Sequence, residues 1–236
     1  MADTTAPTEL HEVCPGVFRL STWDEAAGIT FNQFLLHDDK PTLIETGDNR
    51  MFAGVRNRIA EVLDPASLCY IVVPHFEGDE CGSLNSFLRL APQARPICSQ
   101  ICAMISLVDY SMVEPMTVED QEVIELGKRR LRFLMVPHCH DWGSLVVYEE
   151  RGKLLFSSDL FIQTGRGEAV IEADLSQNML AMYRQYTPIA PGKFLLQAAD
   201  KIAALELEML LPMHGSAIAK NCAPYLQALR EYALEG

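Results

Sequence analysis

The stretch that most constrains this chain runs Tyr70-Ile-Val-Val-Pro-His75-Phe-Glu77-Gly-Asp79-Glu80. Its apolar start reads as a buried strand, and Pro74 stops it. A histidine and three carboxylates then fall within six residues, with Gly78 permitting a tight turn among them. Acidic turns are common, so one such stretch carries little weight. The chain repeats the gesture in Leu134-Met-Val-Pro-His138-Cys-His140, in Leu154-Leu-Phe-Ser-Ser-Asp159 and in Met209-Leu-Leu-Pro-Met-His214. Each apolar run ends in a residue able to bind a cation, and four of the six histidines sit at such ends. Ligands in α/β folds gather outside the carboxyl ends of strands, so these side chains are expected on one rim. Three imidazoles with three or four carboxylates exceed what one tetrahedral zinc uses. Two metals bridged by a carboxylate and a solvent oxygen fit the count, and the oxygen-rich set suits iron or manganese as well as zinc.

A chain of 236 residues, nearly half of them hydrophobic, is long enough for one large α/β domain. We expect a leader at residues 1–12 followed by one domain over 13–236. The formal charge of −13 disfavours nucleic acid and anionic membrane surfaces as partners. The N-terminus lacks the basic and apolar regions of a signal peptide, and no apolar run nears the roughly 20 residues a membrane helix needs. Seven cysteines without paired CxxC motifs read as buried free thiols, which points to a reducing, cytoplasmic setting.

Strands are expected at 17–22, 31–37, 42–45, 68–73, 96–98, 144–149, 153–157 and 209–211, with 118–126 pairing with 130–136. Helices are expected at 51–63, 84–90, 100–110, 174–186, 191–205 and 223–234.

The first ligand block, His75-x-Glu77-x-Asp79-Glu80, resembles the HxHxDH signature of the metallo-β-lactamase superfamily, with Glu in place of the second His. That substitution is similar to the diiron branch, the flavodiiron oxygen and nitric-oxide reductases and the shorter oxygen-binding diiron proteins. Thr42-Leu-Ile-Glu-Thr-Gly47, Leu155-Phe-Ser-Ser-Asp159 and Pro212-Met-His214-Gly215 resemble other segments of that family. The resemblance runs from about Phe31 to the last helix. It implies an αββα sandwich of two mixed β-sheets flanked by helices. It also implies that His75, Glu77, His140 and Asp159 hold one iron while Asp79, Asp159 and His214 hold the other, Asp159 bridging. His140-Asp-Trp-Gly143 is similar to the family's His-x-x-Gly segment, which leaves His138 as a strand-end or supporting residue. Family members often carry His where this chain has Glu80, so Glu80 is either a further carboxylate ligand or a charge turned away.

The resemblance implies a non-haem diiron protein that binds O2 or NO, in oxygen sensing or, with a separate flavin or rubredoxin-type electron donor, in O2 or NO reduction. A chain this long has no room for a flavin domain of roughly 150 residues beside the first, and it shows no Gly-rich phosphate loop. A homodimer is compatible with the branch. The alternative is a dizinc hydrolase of an ester, lactone or thioester, against which Glu77 stands.

Overall fold

The computed structural model describes residues 7–236. Two seven-stranded mixed sheets face each other. The first is built, in spatial order, from β1 (Glu9–Cys14), β2 (Val17–Asp24), β3 (Ile29–Leu36), β4 (Thr42–Ile44), β5 (Tyr70–Val72), β6 (Arg95–Ser99) and β7 (Met116–Val118). The second contains β8 (Val123–Glu125), β9 (Arg130–Met135), β10 (Leu145–Glu149), β11 (Leu154–Ser158), β12 (Val170–Ile171), β13 (Met209–Pro212) and β14 (Ala217–Ala219), in the order β12-β14-β13-β11-β10-β9-β8. The helices are α1 (Phe52–Ile59), α2 (Gly78–Cys81), α3 (Leu84–Leu90), α4 (Gln100–Cys102), α5 (Val108–Tyr110), α6 (Ser176–Tyr186), α7 (Lys193–Ala203) and α8 (Cys222–Ala233).

Burial of both faces explains the uninterrupted apolar runs. Along β5 and its exit, Val72 points between the sheets, whereas Ile71 and Val73 join the core under α1 and α3. In β10, Leu145 and Val147 meet the first sheet, while Val146 and Tyr148 pack toward α6, α7 and α8. One inter-sheet core and two helix-covered outer cores make the four layers of the expected αββα sandwich. Parallel pairing of β4, β5, β6 and β7, and of β11 with β13, turns several strand exits toward one edge.

Some local expectations change. Glu9–Cys14 pairs antiparallel with β2, so residues 9–12 belong to the sheet and not to a leader; residues 1–6 lie outside the described residues. The stretch 118–126 is not one strand. It breaks where the Glu122 carboxylate accepts the Glu119 N–H at 2.8 Å, leaving β7 in the first sheet and β8 beside β9 in the second. The helix at 100–110 contains a π-wound turn, Ala103–Leu107, between α4 and α5. Among the described residues, no helix is long and apolar enough to cross a membrane.

Candidate metal centre

Four separate exits deliver the candidate ligands. After β5 the chain turns through extended Glu77 into α2, placing Asp79 and Glu80 in its first turn. The Thr46 N–H donates to the Glu80 carbonyl at 2.6 Å and ties this block to the exit of β4. His140 follows β9 in a loop where His138 and His140 both take left-handed backbone, φ 64° and 80°. Ser99 Oγ donates to the Gly143 carbonyl at 2.6 Å, and a Cβ on Gly143 would stand 2.8 Å from the Cys102 nitrogen, so only glycine lets this loop seat against α4. Asp159 follows β11. His214 follows β13, where Asn32 Nδ2 donates to the carbonyls of Pro212 and Gly215, at 2.8 and 2.9 Å, and Arg19 donates to Gly215.

The side chains converge in two groups whose donor atoms lie within 4.8 Å of one another: His75, Glu77, His140 and Asp159, and then Asp79, Glu80 and His214. Asp159 faces both. Its Oδ2 is 3.4 Å from His75 Nε2 and 3.5 Å from His140 Nε2, while its Oδ1 is 3.5 Å from His214 Nε2. His214 Nε2 also stands 3.4 Å from Asp79 Oδ2, and His140 Nε2 lies 2.8 Å from Glu77 Oε1. All three imidazoles use Nδ1 elsewhere: His75 with Ser158 Oγ at 3.1 Å, His140 with the Pro188 carbonyl at 2.8 Å, His214 with the Thr30 carbonyl at 3.1 Å. Bonds to the two carbonyls place a proton on Nδ1 and turn Nε2 toward the other candidate ligands, the orientation metal-binding histidines require.

Electrostatics supply the test of fit. Five carboxylates meet here, because Glu45, at the exit of β4, joins Glu77, Asp79, Glu80 and Asp159. Glu45 and Glu80 are 1% and 0% exposed. Burial, followed by repulsion from Asp159 and Asp79, pushes both carboxyls well above the usual carboxylate range. Burial also acts against ionised Asp79, but the His214 imidazole outweighs it and holds that carboxyl down to about 2. Glu77 raises His140 to about 9 through their hydrogen bond. Among the described residues, no lysine or arginine forms an ion pair with these carboxylates. His75 Nε2, Asp159 Oδ1, Glu45 Oε2 and both Glu80 oxygens are buried without a hydrogen-bond partner. Orphaned acceptors and uncompensated anions at this density are costly, and multivalent cations at the centre answer both. The residues present fit two metal ions.

Of the sequence-selected residues, His75, Glu77, Asp79, His140, Asp159 and His214 come together, and Glu80 with them. His138 does not. Its exposed ring lies 4.4 Å from that of Phe194 and, among the described residues, makes no hydrogen bond to a ligand; its backbone N–H donates to the Asp141 carbonyl at 2.9 Å. Glu45 is the residue sequence reasoning missed. Its left-handed φ of 61° turns the carboxyl inward, and nothing in a strand-then-turn pattern announces that. Outside the ligands opens a cavity of about 930 Å³, rimmed by uncharged polar groups such as Gln163, Asn178 and Gln185.

The family model described as "ODP family beta lactamase" matches residues 29–215. This chain belongs to the ODP family. Its place is the diiron branch of the metallo-β-lactamase superfamily, as Glu77 in the first ligand block implied. Among its relatives, a nitric oxide reductase of Moorella thermoacetica is 26% identical over 217 residues, covering 87% of this chain and 54% of the relative. The rubredoxin-oxygen oxidoreductase of Megalodesulfovibrio gigas is 28% identical over 218 residues, with the same two coverages. The ODP-family chain thus spans about a third to a half of the length of the curated relatives it matches. The solved rubredoxin oxygen:oxidoreductase of Desulfovibrio gigas superposes with a TM-score of 0.85 at 25% identity, over 96% of this chain and 62% of that one.

Proposed function

We propose that this ODP-family protein holds two iron ions and binds O2 or NO, acting as an oxygen sensor or, with a separate flavin or rubredoxin-type donor, in O2 or NO reduction. His75, Glu77, His140 and Asp159 hold one ion; Asp79, Asp159 and His214 hold the other, with Glu80 a further carboxylate beside them. The observation that carries this reading is the Asp159 carboxylate, which turns one oxygen to each half of the cluster. Support also comes from the nitric oxide reductase and rubredoxin-oxygen oxidoreductase among the relatives.

An iron pair would supply the electrons and open coordination positions that diatomic chemistry requires. The protein's own part is positional and protonic. Carbonyls hold two of the imidazoles by Nδ1, so the rings do not rotate when an ion leaves. Glu77, 2.8 Å from His140 Nε2, favours a proton on that nitrogen in the metal-free protein, and the ring would have to give it up to hold an ion. Burial and the neighbouring carboxylates favour protonated Glu80 and Glu45 in the metal-free protein, and cations beside them would favour the ionised form. The core shared by both sheets supports a single domain beginning by Glu9, and the free cysteines support a reducing, cytoplasmic setting.

Protein purified without oxygen should carry about two irons per chain and gain a near-ultraviolet to visible band on titration with O2. A dizinc hydrolase is the second reading. The cavity favours it, since about 930 Å³ far exceeds what a diatomic fills. Two tightly held zincs with ester or thioester turnover would replace the first reading with the second.

A further inference from the structure

At the end of the sandwich away from the metal rim, four connections enclose a second cavity of about 470 Å³. The β1–β2 turn and the exit of β3 supply one side; the β8–β9 and β10–β11 turns supply the other. Its charged lining is His37, Asp38, Lys128, Arg129 and Arg151. In a chain with 32 acidic and 19 basic residues, three basic side chains around one cavity invert the local sign.

The pairing pattern sharpens the contrast. Most of the chain's cations sit against a carboxylate; Arg50, Arg132, Arg184 and Lys220 are examples. In this cavity the acids are already committed to the scaffold. Asp38 accepts the N–H groups of Asp39, Lys128 and Arg129 at 2.8, 3.0 and 2.7 Å. Glu149, fully buried, accepts Arg129 Nη1 at 2.9 Å and the N–H groups of Arg151 and Gly152 at 3.1 and 2.7 Å. Arg129 also donates to the Pro15 carbonyl and is thereby fixed across the seam between the sheets. The side chains of Lys128 and Arg151 and the His37 ring make no ion pair or hydrogen bond among the described residues. Gly127, at φ 131°, lets this turn close over Asp38 and Asp39, because a Cβ there would stand 2.6 Å from an Asp39 oxygen. These bonds tie the frame together, and its unpaired cations line one space.

We propose that this cavity binds a phosphate group, carried by a small phosphoester or as the free anion, with Lys128 and Arg151 pairing with its charge over the fixed Arg129. Phosphate suits the site because a spread of two cations and an imidazole matches an oxyanion of about two charges. The distance from the metal rim makes the site regulatory or accessory, independent of which ions the centre holds.

The test is calorimetric titration of the full chain, metal-loaded as purified, at low salt, with inorganic phosphate, pyrophosphate and glycerol 3-phosphate as probes. Saturable binding is expected, weakened about tenfold or more in Lys128→Gln/Arg151→Gln. Lys220→Gln, which removes a cation paired with Glu172 elsewhere, should bind as the parent does. Preference for glycerol 3-phosphate identifies a phosphoester ligand, and preference for inorganic phosphate the free anion; both uphold the site. No saturable heat with any probe, or equal binding by the double variant, overturns it. Both substituted side chains are exposed, so an unchanged thermal melt without probe verifies that the variant is folded.

Discussion

Asp159→Asn separates a two-ion centre from a merely acidic pocket, because its effect should be small without metal and large with it. The substitution keeps the size of a side chain that is 5% exposed and removes one charge. Without metal, Asp159 repels Glu45 and Glu80 but attracts the His140 and His214 imidazoles, whose pKa it helps raise. Two unit charges about 5 Å apart at an effective dielectric of about 20 interact by roughly 3 kcal/mol, whichever the sign. The two sets oppose each other, so the metal-free Asn variant should differ from its parent by no more than about 1 kcal/mol. Each kcal/mol moves the midpoint of a chain this size by about 2–4 °C, so Tm should stay within that range of the parent's. With metal, both halves of the cluster lose the oxygen that Asp159 turns to them. Loss of a supporting contact alone typically weakens a site about 10–100-fold, which sets the minimum for each ion. Thermal melts of the metal-free protein and metal analysis after dialysis against a weak chelator read the two effects. Loss of one ion only would refute the bridge. A variant that keeps both ions through the dialysis would refute the metal assignment itself.

His140→Ala should empty the centre, whereas His138→Ala should leave metal content unchanged, as metal analysis of the two purified variants will show. Metal uptake should release protons at pH 7, because Glu77 holds His140 up to about 9 and coordination needs the neutral ring; calorimetry in buffers of different ionisation enthalpy measures this. In the metal-free protein the same raised group stabilises fully below its ordinary value near 6.5 and loses that contribution as pH climbs through about 9, so its melts should fall over that window. Gly143→Ala drives a Cβ against the Cys102 nitrogen and should cost about 1–3 kcal/mol in denaturant unfolding, with lower metal occupancy from a displaced His140.

The ligand rim was legible because the strands leading to it are buried on both faces, so their apolar runs and their polar ends are sharp. β5 with His75 and β13 with His214 are clear cases. Where the physical signal is weak, reading failed. β1, Glu-Leu-His-Glu-Val-Cys, is half exposed and lacks an apolar run, and β14 is three residues of a return strand. The break within 118–126 depends on one side-chain contact at Glu122 that propensity does not encode. Glu45 depends on a backbone sign, and Glu80 on how deeply the α2 turn is sunk; both are properties of the assembled fold.

Glu77 and Asp79 hang from the first sheet, Asp159 and His214 from the second. A ribosome that has finished β7 has therefore made only the first ligand block; on the proposed assignment one cage is complete only after β11 has emerged, and the other only after β13. Loading would then be a late event in the life of each molecule, and a bound ion would work as a rivet through the seam between two sheets made at different times.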